Sequence, residues 1–234
     1  LKQIDHYSLV DFLSKKIPSN TLICTGSSGL AVEVFYSIFK NKIDQRIFLT
    51  SGLGAMGYGL PASIGSCFAN KKKPMLLIEG DGSFQLNIQE LAVIRKFKLP
   101  INIILINNNG YCSIRNTQKN YFHGRFLGTG PQSNLIFPNL KKIASAYDIR
   151  YERITTIEGL NKNFKLNKYP KITEVIVSSN ETLKPKVSAI PQKNGNIISM
   201  PLEDMTPLLT IKKLKNEMLI PLSKASYKAR GIKK

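Results

Sequence analysis

Two polar segments of the sequence offer oxygen atoms that could bind a metal ion. The segment "GDGS" at residues 80–83 follows the apolar run "PMLLIE", and "NNNG" at residues 107–110 follows "INIILI". Asp81 supplies a carboxylate, an asparagine supplies an amide oxygen, and the turn at Asn109-Gly110 can present a backbone carbonyl. Magnesium prefers hard oxygen ligands, and it typically takes one or two protein carboxylates with phosphate and water in the other positions. The two segments therefore predict a site for magnesium and a diphosphate.

The order of apolar and periodic segments predicts the elements that would position these residues. Continuous apolar runs of strand length alternate with helical patterns, which is typical of a parallel sheet covered on both faces. We therefore predict an α/β fold, a doubly wound parallel sheet of about six strands with helices on both faces. The predicted strands are residues 21–25, 46–50, 74–80, 101–107, 149–154 and 172–178.

Only one predicted helix, residues 85–97, separates "GDGS" from "NNNG" in the sequence. Because both segments follow strands of a parallel sheet, we expect them at the same edge, where such sheets bind ligands. The start of the helix after Ser83 would add free backbone N–H groups and the positive end of the helix dipole for the diphosphate.

Length and composition indicate one main domain. The chain of 234 residues, 42% of them hydrophobic, is long enough for an α/β domain with its own core. We place this domain at residues 1–180, because residues 181–234 contain several prolines and little periodicity and are predicted to form an extended C-terminal arm. The chain starts without methionine inside a helical pattern, so we expect it to be a piece of a longer polypeptide.

The cysteines and the apolar runs favour a cytoplasmic protein. Cys24, Cys67 and Cys112 lie far apart and form no C-x-x-C pair, so neither a disulfide framework nor a zinc site is indicated. No apolar run approaches the roughly 20 residues of a membrane span, so we expect no membrane partner. The formal charge of +19 comes mostly from scattered lysines without a recognition motif, which makes nucleic-acid binding the least favoured class.

The segment "SGLGAMGYG" at residues 51–59 supports a competing interpretation. Gly52, Gly54 and Gly57 satisfy G-x-G-x-x-G between a predicted strand and a predicted helix, which is the pattern of a dinucleotide-binding fold. Glu79 and Asp81 end the next strand, where such a fold carries a ribose-binding carboxylate. An NAD(P)- or flavin-dependent oxidoreductase is therefore an alternative, although it leaves the three asparagines unexplained.

Taken together, "GDGS" and "NNNG" resemble the cofactor-binding motif of the thiamine diphosphate (ThDP) enzymes related to acetolactate synthase and pyruvate decarboxylase. That motif starts at G-D-G and ends at N-N, and here Asn108 follows Asp81 by 27 positions. The segment "GLGAMGYGLPASIG" at residues 52–65 resembles the corresponding segment of acetolactate synthases. The resemblance covers roughly residues 1–180 and implies the C-terminal, diphosphate-binding domain of such an enzyme.

The resemblance implies a role for each residue at a matching position. Asp81, the side chain of Asn108 and the carbonyl of Gly110 would bind Mg²⁺. The carbonyl of Gly54 would accept a hydrogen bond from the amino group of the cofactor's pyrimidine, and Met56 would lie between the two cofactor rings; packing in the core is the alternative for Met56. The remaining contacts with ThDP would come from Thr25, Gly26, Ser27, Ser28, Gly80, Gly82, Ser83 and Tyr111.

The resemblance also implies a ThDP-dependent lyase or transferase that acts on a 2-oxo acid such as pyruvate. The first choice is a carboligase of the acetolactate synthase type, which decarboxylates the acid and joins the remaining fragment to a second carbonyl. A 2-oxo acid decarboxylase is the alternative, because Asn109-Gly110-Tyr111 replaces the acidic residues that typically follow N-N in the carboligases. The acid and its acceptor stay open, and a flavin (FAD) would bind outside this segment.

The same family takes a glutamate from a separate pyrimidine-binding domain. The resemblance therefore implies that this chain is inactive without such a domain or subunit, and that the enzyme is a homodimer or homotetramer.

Several residues follow the predicted metal loop, residues 107–110. Ser113 and Ile114 could line the substrate side, and Arg115 could meet a carboxylate or form a structural ion pair. His123 would enter the site if its glycine-rich loop closes as a lid, and otherwise it is an exposed loop residue. Cys112 is expected to be a small core residue.

Overall fold

The computed structural model of the chain describes residues 3–26, 29–49, 52–187, 189–192 and 195–232. The chain divides into two units, Leu1–Thr182 and Leu183–Lys234. The polar segments "GDGS" and "NNNG" both belong to the first unit.

Within the described residues, the first unit contains a six-stranded sheet. Its strands are, in chain order, β1 (Leu22–Thr25), β2 (Arg46–Phe48), β3 (Met75–Gly80), β4 (Ile101–Asn107), β5 (Arg150–Ile154) and β6 (Lys171–Ile176). Across the sheet the order is β2-β1-β3-β4-β6-β5, and every pairing is parallel. The predicted fold class is confirmed, and the strand ends differ from the predicted ones by at most two residues.

Helices connect the strands of this sheet. They are α1 (His6–Lys16), α2 (Leu30–Ile38), α3 (Gly59–Ala69), α4 (Asp81–Gln85), α5 (Leu91–Phe97), α6 (Cys112–Tyr121), α7 (Leu140–Ala146) and α8 (Ile157–Asn163). In the ranges that the structure describes, no helix is long and apolar enough to cross a membrane.

Alternation along the central strands separates the core into two layers. Leu77 and Leu105 belong to a buried apolar cluster with side chains of α3, α5 and α7. Leu76 and Ile104 alternate with them and are also buried, so they face the other side of the sheet, where α2 packs on β3. Both faces of the sheet are thus covered, which explains why β3 and β4 carry apolar residues on both faces.

The sheet order places the polar segments at its switch point. β1 pairs with β2 on one side and with β3 on the other, so the direction of winding reverses between β1 and β3. In doubly wound sheets, ligands bind at the carboxyl ends of the strands next to this reversal. The chain leaves β1 at Thr25, β3 at Gly80 and β4 at Asn107, so these three strand ends define the expected binding edge.

The single helix predicted for residues 85–97 is wrong. The structure has α4 over Asp81–Gln85, a 3-10 turn over Ile88–Glu90 and then α5. The break falls at Asn87, whose φ of −135° lies outside the helical range and whose Nδ2 donates to the carbonyl of Gly57 at 2.8 Å. A tertiary hydrogen bond therefore replaces helix continuity, and the helical conformation begins at Asp81 itself.

The second unit has its own elements. Two short strands, β7 (Ala189–Pro191) and β8 (Ile197–Ser199), pair antiparallel, and the helices α9 (Ile211–Glu217) and α10 (Lys224–Ala229) follow. The guanidinium of Arg230 in this unit is bonded to buried Asp204, with Nε donating to Oδ2 at 2.7 Å.

Replacing Leu105 by alanine should destabilise the first unit by about 2–5 kcal/mol, because a fully buried side chain in the middle of β4 leaves a cavity. The free energy of unfolding from urea titrations measures the effect. The control is Ile43→Ala, whose side chain is 81% exposed and which should change stability by no more than about 0.5 kcal/mol. Equal effects of the two substitutions would contradict the position of β4 in the core.

Candidate functional site

The carboxyl ends of β3 and β4 bring the two polar segments into direct contact. The carboxylate of Asp81 joins them, because its Oδ1 accepts from the N–H of Gly82 and its Oδ2 accepts from the N–H of Gly110, each at 2.8 Å. Asp81 is 3% exposed. The expected proximity of "GDGS" and "NNNG" is therefore observed.

The electrostatics at Asp81 favour a positive partner. Burial raises the pKa of Asp81 to about 6, while the N–H groups of Gly110 and Gly82 and the charge of Arg115 act to lower it. A carboxyl group with this pKa is ionised at neutral pH, and a buried negative charge is stabilised by a bound cation.

Asn108 and Gly110 supply neutral oxygens beside this carboxylate. Asn108 is 4% exposed, and in the described part of the chain its Oδ1 has no hydrogen-bond partner. Buried polar atoms are nearly always bonded, so this oxygen marks the place of a further group. The carbonyl of Gly110 accepts from the N–H of Cys112 at 3.0 Å and keeps a second lone pair. One carboxylate with neutral oxygens is a donor set that suits Mg²⁺.

The turn that carries these oxygens depends on backbone shape. Asn109 has a φ of +62°, and the side-chain oxygen of Asn107 accepts from its N–H at 2.9 Å. Gly110 has a φ of +117°, and a Cβ there would lie 2.4 Å from the carbonyl oxygen of Thr129. Asn107 and Asn109 thus shape the turn, as predicted, and Gly110 is required by both conformation and space.

Arg115 holds the same turn through backbone carbonyls, and among the described residues its side chain forms no ion pair within 4.0 Å. Its Nη1 donates to the carbonyls of Asn109 (2.9 Å) and Thr129 (2.5 Å), and its Nη2 donates to those of Asn108 (2.7 Å) and Ser179 (3.3 Å). The guanidinium therefore fixes the loop through its backbone carbonyls. Contact of Arg115 with a substrate carboxylate stays a prediction.

The glycine-rich segment after β2 is tied to α4. The N–H of Gly57 donates to Oγ of Ser83 at 2.8 Å, and its carbonyl accepts from Asn87. Gly54 has a φ of +60°. The side chain of Met56 is 40% exposed, so the alternative that it packs in the core is wrong.

Most of the predicted site residues line one cleft of about 280 Å³. The predicted residues that line it are Gly54, Met56, Gly80, Asp81, Gly82, Ser83, Asn108, Gly110 and Tyr111. Among the described residues that line this cleft, Asp81 is the only acid.

Tyr111 closes this cleft over the start of α4. A Cβ on Gly82 would lie 2.3 Å from the ring of Tyr111, which means that the ring rests directly on the glycine. The ring also makes an edge contact with Phe137, with centroids 5.8 Å apart. The glycine of "GDGS" is therefore needed for the close approach of an aromatic wall.

The loop after β1 is described only in part. Thr25 is buried and its hydroxyl is hydrogen-bonded to the hydroxyl of Tyr36, and neither Thr25 nor Gly26 is among the lining residues of the cleft. The predicted contacts Ser27 and Ser28 lie outside the described residues.

The first turn of α2 and the start of α6 line the cleft as well. The residues are Gly29, Leu30, Ala31, Cys112, Ser113 and Ile114. The predicted substrate side includes Ser113 and Ile114 but not the other four residues. Oγ of Ser113 accepts from the N–H of Leu30 at 2.9 Å and joins the two helices. The sequence did contain a signal for the first turn of α2. This helix directly follows β1 at the switch point, where ligands bind in doubly wound sheets. Cys112 is buried, as expected, and His123 lies on the surface.

Glu79 does not have the position of a ribose-binding acid. It is fully buried, its Oε1 accepts from the N–H of Gly80 at 3.1 Å, and it packs against the backbone of Gly26 and Gly59. Burial raises the pKa of Glu79 to about 7. The carboxylate that the oxidoreductase alternative needs at this strand end is thus enclosed by the protein.

Comparisons with known proteins agree with this geometry. The family described as "Thiamine pyrophosphate enzyme, C-terminal TPP binding domain" matches residues 25–171. Acetolactate synthase 3, chloroplastic, from Brassica napus is 35% identical over 156 residues, which cover 64% of this chain and 24% of that protein. The mitochondrial acetolactate synthase of Schizosaccharomyces pombe is 35% identical over 182 residues, which cover 76% of this chain and 26% of that protein.

A solved structure supports the fold. The ThDP-dependent 4-hydroxybenzoylformate decarboxylase of Rhodococcus jostii RHA1 superposes with a TM-score of 0.66 at 23% identity, covering 75% of this chain and 33% of that one.

The chain spans about a quarter of the length of the acetolactate synthases that it matches. Because the family match extends over more than half of the sequence, the chain belongs to the thiamine diphosphate enzymes and contains their C-terminal cofactor-binding domain.

Proposed function

We propose that the chain is the Mg²⁺- and ThDP-binding part of a 2-oxo acid carboligase of the acetolactate synthase type. The observation that carries this proposal is the buried Oδ1 of Asn108, which has no partner among the described residues and belongs to a residue that lines the same cleft as Asp81. Acetolactate synthases of several organisms match this chain over more than half of its length, which favours that reaction.

In this proposal, Asp81, Asn108 and the carbonyl of Gly110 hold the metal, and the metal holds the diphosphate. Gly82 and Ser83 lie beside them in the cleft and would contact the diphosphate, with Gly80 and Tyr111 as neighbours. A single carboxylate leaves positive charge on the ion, which the diphosphate needs for binding. Thr25, Gly26, Ser27 and Ser28 stay predicted contacts with the cofactor.

The exposed end of the cleft would receive the organic part of the cofactor. When bound, ThDP supplies the nucleophilic carbon and the electron sink that decarboxylation of a 2-oxo acid requires. Met56 is partly exposed and would separate the two rings, and the Gly54 carbonyl would accept from the pyrimidine amino group. Both residues act by orienting the rings.

The site needs a second acid from elsewhere. Of the described residues that line the cleft, Asp81 alone is acidic, and it is committed to the metal and to two backbone N–H groups. A glutamate that protonates the pyrimidine would therefore come from a pyrimidine-binding domain or subunit, and the chain would be inactive without it. The exposed Leu53 (94%) beside the site is consistent with such a cover. We place the assembly, a homodimer or homotetramer, in the cytoplasm, with FAD left open.

A 2-oxo acid decarboxylase is the second candidate. Tyr111 stands where carboligases typically have acidic residues after N-N, and it lines the cleft. The two reactions share the first step, loss of carbon dioxide, and differ in whether a second carbonyl or a proton captures the remaining fragment.

Removing either side-chain metal ligand should weaken cofactor binding. Asp81→Ala should abolish Mg²⁺-dependent binding of ThDP, and Asn108→Leu should reduce the affinity at least about tenfold, which corresponds to about 1.4 kcal/mol. Calorimetric titration of ThDP with and without Mg²⁺, with the pyrimidine-binding domain or subunit present, measures both. The control is Asn109→Gly, which keeps the turn because glycine accepts a positive φ. Equal losses at positions 108 and 109 would contradict the metal site.

Filling the space under Tyr111 should also damage the site. Gly82→Ala forces the ring away from α4, so the ThDP affinity should fall at least about tenfold, with a loss of stability of about 1–3 kcal/mol from overpacking. Gly65→Ala is the matched control, because nothing lies within 4 Å of its Cβ position in α3, and it should stabilise the helix by about 0.5–1 kcal/mol. An unchanged ThDP affinity in Gly82→Ala would contradict a role of Tyr111 in the site.

Product analysis with pyruvate distinguishes the two candidate reactions. We expect acetolactate from the enzyme in the presence of the pyrimidine-binding domain or subunit, and no turnover by this chain alone. Acetaldehyde as the main product would favour the decarboxylase. Retention of NADH without binding of ThDP would contradict both.

A further inference from the structure

A buried histidine joins the candidate metal ligand to a second carboxylate. His6, the first residue of α1, is fully buried. Its Nδ1 lies 2.9 Å from Oε2 of Glu181, and its Nε2 lies 3.5 Å from Nδ2 of Asn108. The three side chains come from the N-terminal helix, the loop after β4 and the segment after β6. They form a series of contacts from Glu181 through His6 to Asn108, which lines the cleft.

The carboxylate determines where the imidazole carries its proton. Glu181 Oε2 accepts from the backbone N–H of His6 at 3.0 Å and from the ring at Nδ1. An ionised carboxylate only accepts hydrogen bonds, so Nδ1 is the protonated nitrogen of the ring. In the neutral imidazole, Nε2 is then a hydrogen-bond acceptor that faces Asn108.

An acceptor at this position determines the orientation of the Asn108 amide. Nδ2 of Asn108 donates towards Nε2 of His6, which leaves Oδ1 without a partner among the described residues and in the wall of the cleft. Rotation about the last side-chain bond of asparagine is soft, so a free amide would also present its NH₂ group to the site. A cation binds the oxygen and is repelled by the NH₂ group.

The backbone of Glu181, which carries this carboxylate, is itself held in place. The backbone carbonyl of Glu181 accepts from Nδ2 of Asn116 at 2.9 Å, and Sγ of Cys112 lies 3.6 Å from the same oxygen. Both partners belong to α6, which begins directly after the metal loop. The segment after β6 therefore keeps a fixed position relative to that loop.

We propose that His6 and Glu181 are positioning residues for the metal site: Glu181 fixes the tautomer of His6, and His6 turns the Asn108 oxygen towards Mg²⁺. The inference rests on the proposed function, because it requires Asn108 to be a ligand. Carboxylate and imidazole partners behind a metal ligand typically change metal affinity by about 10–100-fold. Neither residue is among the described residues that line the cleft.

The test measures Mg²⁺ affinity in the presence of saturating ThDP, by calorimetry on the full protein with its pyrimidine-binding domain or subunit. His6→Leu should weaken Mg²⁺ binding about tenfold or more. His6→Gln should recover most of the loss, because its amide oxygen can accept from Asn108 in place of Nε2. Asp5→Ala is the matched control: it removes the N-cap of the same helix, where Oδ1 accepts from the N–H of Ser8 at 2.8 Å, and it should leave Mg²⁺ affinity unchanged.

The outcomes separate this inference from the proposed function. A wild-type protein that binds no Mg²⁺ and ThDP overturns the proposed function and this inference with it. A wild type that binds, with unchanged affinity in His6→Leu or an equal loss in Asp5→Ala, overturns only the positioning role. If His6→Leu does not fold, the ¹⁵N spectrum of the His6 ring in the wild type decides: a proton on Nδ1 alone supports the inference, and a proton on Nε2, with or without one on Nδ1, refutes it.

Discussion

The carboxylate of Asp81 is the constraint on which the site depends. It is buried at the end of β3, where removing an ionised group from water costs on the order of several kcal/mol. The N–H groups of Gly82 and Gly110 recover part of this cost, and that of Gly110 can do so only if the two loops lie side by side. The charge that a cation would neutralise is therefore also the link that assembles the binding edge.

The loops around this carboxylate are held by bonds that do not involve the proposed ligand. Arg115 binds the carbonyls of the metal loop, and Ser83 binds the glycine-rich segment through Gly57. Such bonds keep the oxygens of the site in place before any ion arrives, which lowers the ordering cost of binding. His6 adds the same kind of support to the amide of Asn108.

Leu53 and Met56 are exposed beside the cleft. In the proposed enzyme, a second domain would cover them. In that proposal the described residues would supply the metal and diphosphate half of a cofactor site, with Asp81 as the one acid among the described residues of its lining. The groups that choose the substrate and protonate the pyrimidine would then belong to the covering domain.

The sequence by itself determined the parallel sheet and the pairing of "GDGS" with "NNNG". Apolar runs between helical patterns permit few other arrangements, and parallel strands must deliver their loops to one edge. Only the tertiary structure decided the break at Asn87, the carbonyl contacts of Arg115 and the contact of His6 with Asn108 and Glu181. These features arise from side chains that meet across the fold, and such contacts leave no local pattern of spacing or polarity in the chain.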